Sequence, residues 1–285
     1  MDKVFINGKI LPREKAVLSP FDRGFSYGDG VFETIGVFSG VPFLLEKHLL
    51  RMYLGLTLLE IKIPYNREQF TKIVLEFLLE NKVNDCVLKI IVSRGESERG
   101  LFPAKEFEPT IFMNLSPLPP WDLIPIKTDF LSVPVLPSKL TIGQIKSLNQ
   151  LPQVLAAKEC GKKGILEGIR LTPEGYLAEG SMSNLFWIKN EVLKTPERNL
   201  VLPGIARELI LELARLADIP VSEGKYPSEE LTGATEIFFT NSIRGIIPVG
   251  TFQQKMFSEF KFTKKLWELF KAYLKRYIEE NRSER

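Results

Sequence analysis

The alternation of apolar and polar positions over residues 1–115 predicts a small domain of strands and helices. Apolar residues flank Asn7-Gly8, and this dipeptide is a strong signal for a two-residue hairpin turn. Further strands are predicted where short apolar runs occur, and helices where apolar residues recur every three or four positions. These strands are residues 31–38, 41–44, 87–92 and 110–115, and these helices are residues 46–59 and 67–81.

The composition changes at residues 116–120, Ser-Pro-Leu-Pro-Pro, which can continue neither a helix nor a central strand. We take residues 116–128 as an interdomain linker and residues 129–285 as a second, larger domain. Its predicted strands are residues 129–134, 185–188 and 236–239, and its predicted helices are residues 151–160, 206–217 and 260–280. The pattern therefore indicates a two-domain protein of mixed α and β structure.

Composition and charge narrow the class of protein. A hydrophobic fraction of 44% and a charged fraction of 26% are ordinary for a soluble globular protein, and a net charge of +3 is too small to imply nucleic-acid binding. No apolar run reaches the roughly 20 residues that span a bilayer, and the chain starts at once with a predicted strand rather than a signal peptide. Cys86 and Cys160 form no metal or redox spacing, which suits a reducing cytoplasm. We expect a cytoplasmic protein that binds a small molecule.

Lys146 is the first candidate for chemistry. It lies among the apolar residues Ile142, Ile145 and Leu148, and desolvation favours the neutral, nucleophilic form of a lysine amine. From this segment alone, an ordinary solvated lysine is the more common alternative.

Glu179 precedes Gly180 and the small polar residues Ser181 and Ser183. A glutamate in this setting is usually a turn residue. A carboxylate facing a pyridine nitrogen would instead keep that nitrogen protonated and strengthen an electron sink.

Three further segments suit the binding of an anion. Residues 202–207 include Leu202, Ile205 and Ala206 at a predicted helix start, where free amides attract anions. A predicted strand ends at Thr240-Asn241-Ser242, whose side chains can donate hydrogen bonds. Arg51 could clamp a phosphate through its planar guanidinium. Each segment also fits an ordinary structural role, and His48, the only histidine, is expected to pack or cap.

Together and in this order, these segments resemble the class IV aminotransferase family, the pyridoxal 5′-phosphate (PLP) enzymes of fold type IV. The similarity begins at residues 21–34, Phe-Asp-Arg-Gly-Phe-Ser-Tyr-Gly-Asp-Gly-Val-Phe-Glu-Thr, and extends to Ser242. It implies a small N-terminal α/β domain and a larger C-terminal domain with a β-barrel-like core. It also implies a homodimer, since in some members a loop of the neighbouring subunit completes the active site.

The resemblance also implies a role for each candidate. Lys146 matches the Schiff-base lysine and proton shuttle, and Glu179 matches the partner of the pyridine nitrogen. Leu202 matches the apolar residue packed on the cofactor ring. The phosphate-binding groups correspond to Arg51, the amides of Ile205 and Ala206, and Asn241 with Ser242. Arg99 falls in the loop that carries a substrate-carboxylate arginine in some members.

The resemblance leaves the reaction open between lyases and transaminases. Branched-chain transaminases usually carry a Gly-Thr-Ala turn, where this chain has Asn241-Ser242-Ile243, and a tyrosine where this chain has Leu151. D-amino acid transaminases usually place a histidine where Leu101 stands. Phe32-Glu33-Thr34 and Thr240-Asn241-Ser242 look more like 4-amino-4-deoxychorismate lyases, which form 4-aminobenzoate and pyruvate. An amino-acid transaminase using 2-oxoglutarate is the alternative, and a non-catalytic PLP-binding relative is the remote one.

Overall fold

The computed structural model describes residues 2–103, 106–135, 143 and 145–282. The chain divides into two compact units. The first comprises Met1–Leu118, Ile145–Asn149 and Tyr277–Arg285, and the second comprises Pro119–Gln144 and Gln150–Arg276. The first unit thus includes two segments from late in the chain, and the division at residues 116–128 into separate domains stays a prediction.

The first unit is a six-stranded antiparallel sheet with helices packed against it. The sheet order is β2-β1-β6-β5-β3-β4. Its strands are β1 (Lys3–Ile6), β2 (Lys9–Pro12), β3 (Gly30–Phe38), β4 (Val41–Pro42), β5 (Cys86–Ser93) and β6 (Thr110–Ser116), and its helices are α1 (Arg23–Tyr27), α2 (Leu45–Leu58) and α3 (Arg67–Asn81). The predicted elements of residues 1–115 are therefore present.

Local chemistry explains several boundaries in this unit. Asn7 and Gly8 both have positive φ, 45° and 84°, which is the twist that a tight hairpin between β1 and β2 requires. The side chain of Asn66 caps α3 and that of Gln69 reaches back to the Asn66 amide, forming a capping box. The apolar faces of α2 and α3 pack on the sheet in one core that includes Leu49, and all of these core residues are buried.

The second unit is built around a second sheet. Its order is β10-β9-β8-β11-β12-β13, and β7 pairs with β12 in parallel. Its strands are β7 (Ile126–Thr128), β8 (Asn184–Lys189), β9 (Val192–Pro196), β10 (Val221–Gly224), β11 (Glu236–Asn241), β12 (Gly245–Phe252) and β13 (Lys255–Met256), and its helices are α4 (Leu151–Lys163), α5 (Ile205–Leu216) and α6 (Lys261–Arg282), of which α6 ends in the first unit.

The expected barrel-like core is an open sheet in the part of the chain that the structure describes. β10 and β13 stand at the two ends of the strand order and are not paired with each other. The ladder therefore ends at β10 on one side and at β13 on the other. The mixture of helices with the two sheets seen in the described residues agrees with the predicted fold class.

Two predicted strands differ from the structure. The strand predicted at residues 129–134 is wrong, because the strand of that region is Ile126–Thr128 and Phe130 makes only an isolated bridge with Ile169. Pro134 has no amide to donate to a ladder. The strand predicted at residues 41–44 stops at Pro42, since Leu44 adopts φ 54° and leads directly into α2.

No helix within the described ranges combines the length and the apolar character needed to cross a membrane.

Candidate active site

Lys146 lies in the first unit, on a short segment docked along β3. The amide of Phe32 donates to the Lys146 carbonyl at 2.9 Å, and the amide of Leu148 donates to the Gly30 carbonyl at 2.9 Å. An antiparallel bridge joins Val31 to Ser147 between them. Lys146 is therefore fixed by its backbone to the part of β3 that β4 does not cover.

Gly30 permits this docking. A Cβ atom at Gly30 would lie 2.8 Å from Leu148 Cδ1 and 2.3 Å from the Val92 carbonyl oxygen, closer than atoms can approach. A larger residue at this position would clash with the backbone of β5 and with the Leu148 side chain.

The Lys146 amine lies over an aromatic face. Its Nζ atom is 4.4 Å from the centroid of the Phe32 ring, and the Nζ atom of Lys89 is 5.3 Å from the same centroid. Lys146 is half-buried and Ile145 is buried, as the apolar sequence predicts, whereas Ile142 and Gln144 lie outside the described residues. An aromatic face stabilises a nearby ammonium group.

A buried charge network adjoins this segment. The Glu33 carboxylate accepts hydrogen bonds from Nε and Nη2 of Arg51, each 2.7 Å long, and one from Nδ1 of His48 at 2.6 Å. Burial alone would raise the pKa of Glu33, but the Arg51 charge, followed by His48, outweighs it and lowers the pKa to about 2. Burial lowers the pKa of His48 more than Glu33 raises it, so a neutral His48 donates to an ionised Glu33.

This network modifies the sequence-based expectation for Arg51. Its guanidinium faces Glu33 with two of its nitrogen atoms, so the protein itself orients the side chain. His48 is buried, as expected for a packing residue, and it also holds the second oxygen of Glu33. Glu33 was missed as a functional residue. The signal for it was weak, because only the fold brings a strand residue next to positions 48 and 51.

Arg99 is exposed on the loop that follows β5. Its neighbours Ser97 and Gly100 are held by the buried guanidinium of Arg23.

In the second unit, Glu179 and Leu202 come together as a pair. The Leu202 amide donates to Glu179 Oε2 at 3.0 Å, so the backbone of Leu202 fixes this carboxylate. The backbone of Glu179 is bridged to Asn184, the first residue of β8. Glu179 is half-buried, which leaves part of it accessible to a partner.

Helix α5 begins without a side-chain cap. Gly204 is its N-cap residue, and the amides of Ile205 and Ala206 have no hydrogen-bond partner within the described residues. A Cβ atom at Gly204 would lie 1.9 Å from Oδ1 of Asn184, whose Nδ2 donates to the Leu202 carbonyl. Glycine is required here because the backbone and Asn184 approach so closely. Free first-turn amides at a helix start attract anions.

Asn241 organises the turn after β11. Its Oδ1 accepts the amides of Ile243 at 3.0 Å and Arg244 at 2.8 Å, and its Nδ2 donates to Ser183 Oγ at 2.9 Å. Ser242 is half-buried in the same turn. The Asn241 side chain therefore acts first on its own backbone.

A second buried carboxyl group, Glu167, was missed from the sequence. It accepts hydrogen bonds from the amide and hydroxyl of Ser181, from the Met182 amide, and from the Ser183 hydroxyl at 2.7 Å. Burial raises the pKa of Glu167 in spite of these donors. Ser183 Oγ also receives the Asn241 amide, so Glu167 is linked to the turn after β11. Only the small residues at positions 181 and 183 pointed to a polar cluster here.

These residues provide the functional groups that PLP requires. Lys146 supplies an amine, Glu179 supplies an accessible carboxylate, and the uncapped start of α5 supplies amides for a phosphate. The amine belongs to the first unit, and the other two groups belong to the second.

Comparisons with known proteins identify the family of this chain. Residues 30–252 match the family model described as amino-transferase class IV. A putative branched-chain-amino-acid aminotransferase of Methanocaldococcus jannaschii is 37% identical over 94% of this chain and 95% of its own length. The aminodeoxychorismate lyase of Bacillus subtilis is 31% identical over 97% of this chain and 96% of its own.

A solved structure is similar over nearly the whole chain. The 4-amino-4-deoxychorismate lyase of Pseudomonas aeruginosa superposes with a TM-score of 0.83 at 31% identity, covering 94% of this chain and 98% of that one. Family members of both reaction types, lyases and transaminases, thus resemble the protein. The chain belongs to the class IV aminotransferase family of PLP-dependent enzymes, which act on small amino and keto acids.

Proposed function

We propose that the protein is an aminodeoxychorismate lyase, which converts 4-amino-4-deoxychorismate to 4-aminobenzoate and pyruvate for folate biosynthesis. The turn after β11 carries this proposal. In branched-chain transaminases the corresponding carboxylate-binding turn is typically Gly-Thr-Ala. Here the Asn241 side chain already occupies the amides of Ile243 and Arg244. A glycine at the position of Asn241 has no side chain to accept these amides, so in a Gly-Thr-Ala turn they stay available to a substrate carboxylate. In this chain they are already hydrogen-bonded to Asn241.

The lyase relatives support the same assignment. The Bacillus subtilis and Pseudomonas aeruginosa enzymes are each 31% identical to this chain over nearly their full lengths. Residues 32–34 and 240–242 also look lyase-like.

We propose that this chain binds PLP through residues from both parts of the sequence. Lys146 attaches the cofactor, Glu179 holds the proton on the ring nitrogen, and Leu202 packs on the ring. Arg51, the amides of Ile205 and Ala206, and Asn241 with Ser242 hold the phosphate. When bound, the cofactor withdraws electrons from the amine-bearing carbon of the substrate.

Lys146 is the base of the proposed reaction. The substrate amine first displaces Lys146 from the cofactor, and the freed Nζ atom then takes the proton from the amine-bearing carbon and becomes an ammonium group. The Phe32 ring, 4.4 Å away, stabilises this charged form. The C–O bond to the enolpyruvyl group then breaks, and the released enolpyruvate takes up a proton and becomes pyruvate. The ring that remains is aromatic, so the elimination is downhill.

Other charged residues orient the reactants. The carboxylate of Glu33 keeps the guanidinium of Arg51 in one orientation, and neutral His48 keeps Glu33 in place. Arg99 binds a substrate carboxylate by charge-assisted hydrogen bonds.

The protein is further proposed to form a homodimer and to work in the cytoplasm. Phe21 and Phe25 expose 69% and 74% of their surface, which favours a homodimer that covers them. Cys86 and Cys160 are free and buried, which suits the cytoplasm.

An amino-acid transaminase, of branched-chain or D-amino acids, is the second candidate. The Methanocaldococcus jannaschii relative, a putative branched-chain-amino-acid aminotransferase at 37% identity, supports it. In that reaction Lys146 would return the proton to a different carbon instead of allowing pyruvate to leave.

The deciding experiment incubates purified holoenzyme with 4-amino-4-deoxychorismate and no keto acid. We expect equal amounts of pyruvate and 4-aminobenzoate. Ping-pong kinetics with an amino acid and 2-oxoglutarate, without lyase turnover, would establish the transaminase instead. Failure of every amino donor to react with the bound cofactor would indicate a non-catalytic relative.

The role of Lys146 has its own test. Lys146→Ala should abolish both turnover and the visible absorbance of lysine-bound cofactor. Lys72→Ala, on the exposed face of α3, is the matched control and should change neither. A retained absorbance band in Lys146→Ala would refute the assignment.

A further inference from the structure

Arg23 has a buried side chain that the proposed reaction does not use. The residue exposes only 3% of its surface, although it lies on the short helix α1 next to exposed Phe25. Burying a guanidinium is costly unless its hydrogen atoms find acceptors. The acceptors around the guanidinium therefore indicate which part of the structure Arg23 stabilises.

Each nitrogen atom of the guanidinium has a specific acceptor. Nε donates to Asp29 Oδ2 at 2.8 Å, which supplies the balancing charge. Nη1 donates to Ser97 Oγ at 3.1 Å and to the Gly100 carbonyl at 2.9 Å. Nη2 donates to the Leu101 carbonyl at 3.0 Å.

Three of these four acceptors lie in one loop, on both sides of Arg99. Ser97 precedes Arg99 by two residues, and Gly100 and Leu101 follow it. Tyr27 strengthens the arrangement, because its ring lies 4.8 Å from the Arg23 guanidinium carbon and its hydroxyl accepts the Gly100 amide at 3.4 Å. The loop backbone is therefore fixed while the Arg99 side chain stays exposed.

A second arginine holds the same carboxylate without touching this loop. Arg94 donates from Nε to Asp29 Oδ2 at 2.8 Å, and its Nη2 donates to the Leu59 carbonyl at 2.7 Å. Its exposure is 7%. The two arginines differ mainly in which backbone each of them fixes, so Arg94 provides an internal control.

We propose that Arg23 is a positioning residue that presets the 97–101 loop, so that Arg99 meets a substrate carboxylate in a fixed orientation. This inference rests on the role proposed for Arg99. A fixed loop lowers the cost of binding, because the backbone around Arg99 loses little freedom when the substrate arrives. Arg23 itself contacts neither substrate nor cofactor, and the loss of Arg23 is expected to act mainly on KM.

The first test measures the loop independently of activity. Trypsin must bind the Arg99–Gly100 bond in an extended form, which the fixed loop resists. In the holoenzyme, Arg23→Met should speed cleavage after Arg99, identified by fragment mass, at least tenfold. Arg94→Met should match the wild type within twofold. Arg23→Lys, which keeps a cation beside Asp29 but lacks the fork that reaches the loop, should give an intermediate rate and remains informative if Arg23→Met fails to fold. Unchanged cleavage in a folded Arg23 variant would overturn the proposal.

The second test asks whether Arg23 acts through Arg99. Arg23→Met should raise KM for 4-amino-4-deoxychorismate at least tenfold with kcat within threefold of wild type. In an Arg99→Ala background, Arg23→Met should raise KM by less than twofold relative to Arg99→Ala alone. Full additivity would overturn the positioning role. If Arg99→Ala alone leaves KM unchanged, the role proposed for Arg99 fails, and the cleavage result still decides whether Arg23 fixes the loop.

Discussion

The carboxylate of Glu33 receives two parallel hydrogen bonds from the guanidinium of Arg51, each 2.7 Å long, in a position with no solvent exposure at Glu33. Removing one partner of a buried pair leaves the other charge without compensation. We expect Glu33→Gln to lower the free energy of unfolding by about 3 kcal/mol, measured by denaturant titration. Glu68→Gln removes an exposed ion pair with Lys72 and should have no measurable effect. Equal stability of wild type and Glu33→Gln would contradict this account of the network.

His48 gives the stability a defined pH dependence. Its pKa is lowered in the folded protein, so the unfolded chain binds a proton that the folded chain refuses. The contribution of neutral His48 to the free energy of unfolding is complete above about pH 6.5 and declines as the pH falls below that value. We expect the stability difference between wild type and His48→Gln to shrink between pH 7 and pH 5. Because the chain has one histidine, a pH-independent difference would show that His48 is not buried in its neutral form.

The start of α5 provides a test at a glycine. In Gly204→Ala, the new Cβ atom would lie 1.9 Å from Oδ1 of Asn184, so it would displace the Asn184 side chain. We expect PLP binding to weaken by about tenfold, or about 1.4 kcal/mol, measured by cofactor titration. Gly161→Ala, in α4 with open space around it, should keep the affinity and stabilise the fold by roughly 0.5–1 kcal/mol. Equal PLP affinity in Gly204→Ala and Gly161→Ala would show that the start of α5 does not bind the phosphate.

The start of α6 depends on a carboxylate from β11. Glu236 accepts the amides of Phe262 and Thr263 at 2.8 and 2.7 Å, together with the Thr263 hydroxyl at 2.6 Å. Glu236→Ala should cost about 2 kcal/mol in unfolding free energy, since the amides at this helix start lose their acceptor. Glu268→Ala, on the exposed face of α6, should stay within about 0.5 kcal/mol of wild type. A similar loss in both would show that the cap has no special value.

Local patterns predicted what local forces decide. The Asn7-Gly8 hairpin and helix α3 at Arg67–Asn81 occur where the sequence indicates them, because turn dihedrals and capping are set within a few residues. The strand predicted at residues 129–134 was wrong, since a run of apolar residues does not specify its partner. The barrel-like core, expected from resemblance alone, is an open sheet in the described residues.

The candidate site shows the same division. Its candidate residues were predicted from residue type, order and family resemblance, and the hydrogen bond between Leu202 and Glu179 brings two of these candidates together. The bonds from Arg51 to Glu33 and from Ser183 to Glu167 were not predicted. They join residues from elements that meet only after the chain has folded, and a single sequence carries no record of such contacts.

The docking of Lys146 on β3 has a consequence for biosynthesis. Residues 1–118 contain all six strands of the first sheet, so a chain still on the ribosome can form that sheet before Lys146 has been made. Until then the Phe32 amide and the Gly30 carbonyl lie on an uncovered strand edge, the kind of edge to which other chains add. During translation, this edge of β3 is therefore exposed to aggregation until the segment that carries Lys146 has been synthesised and pairs with it.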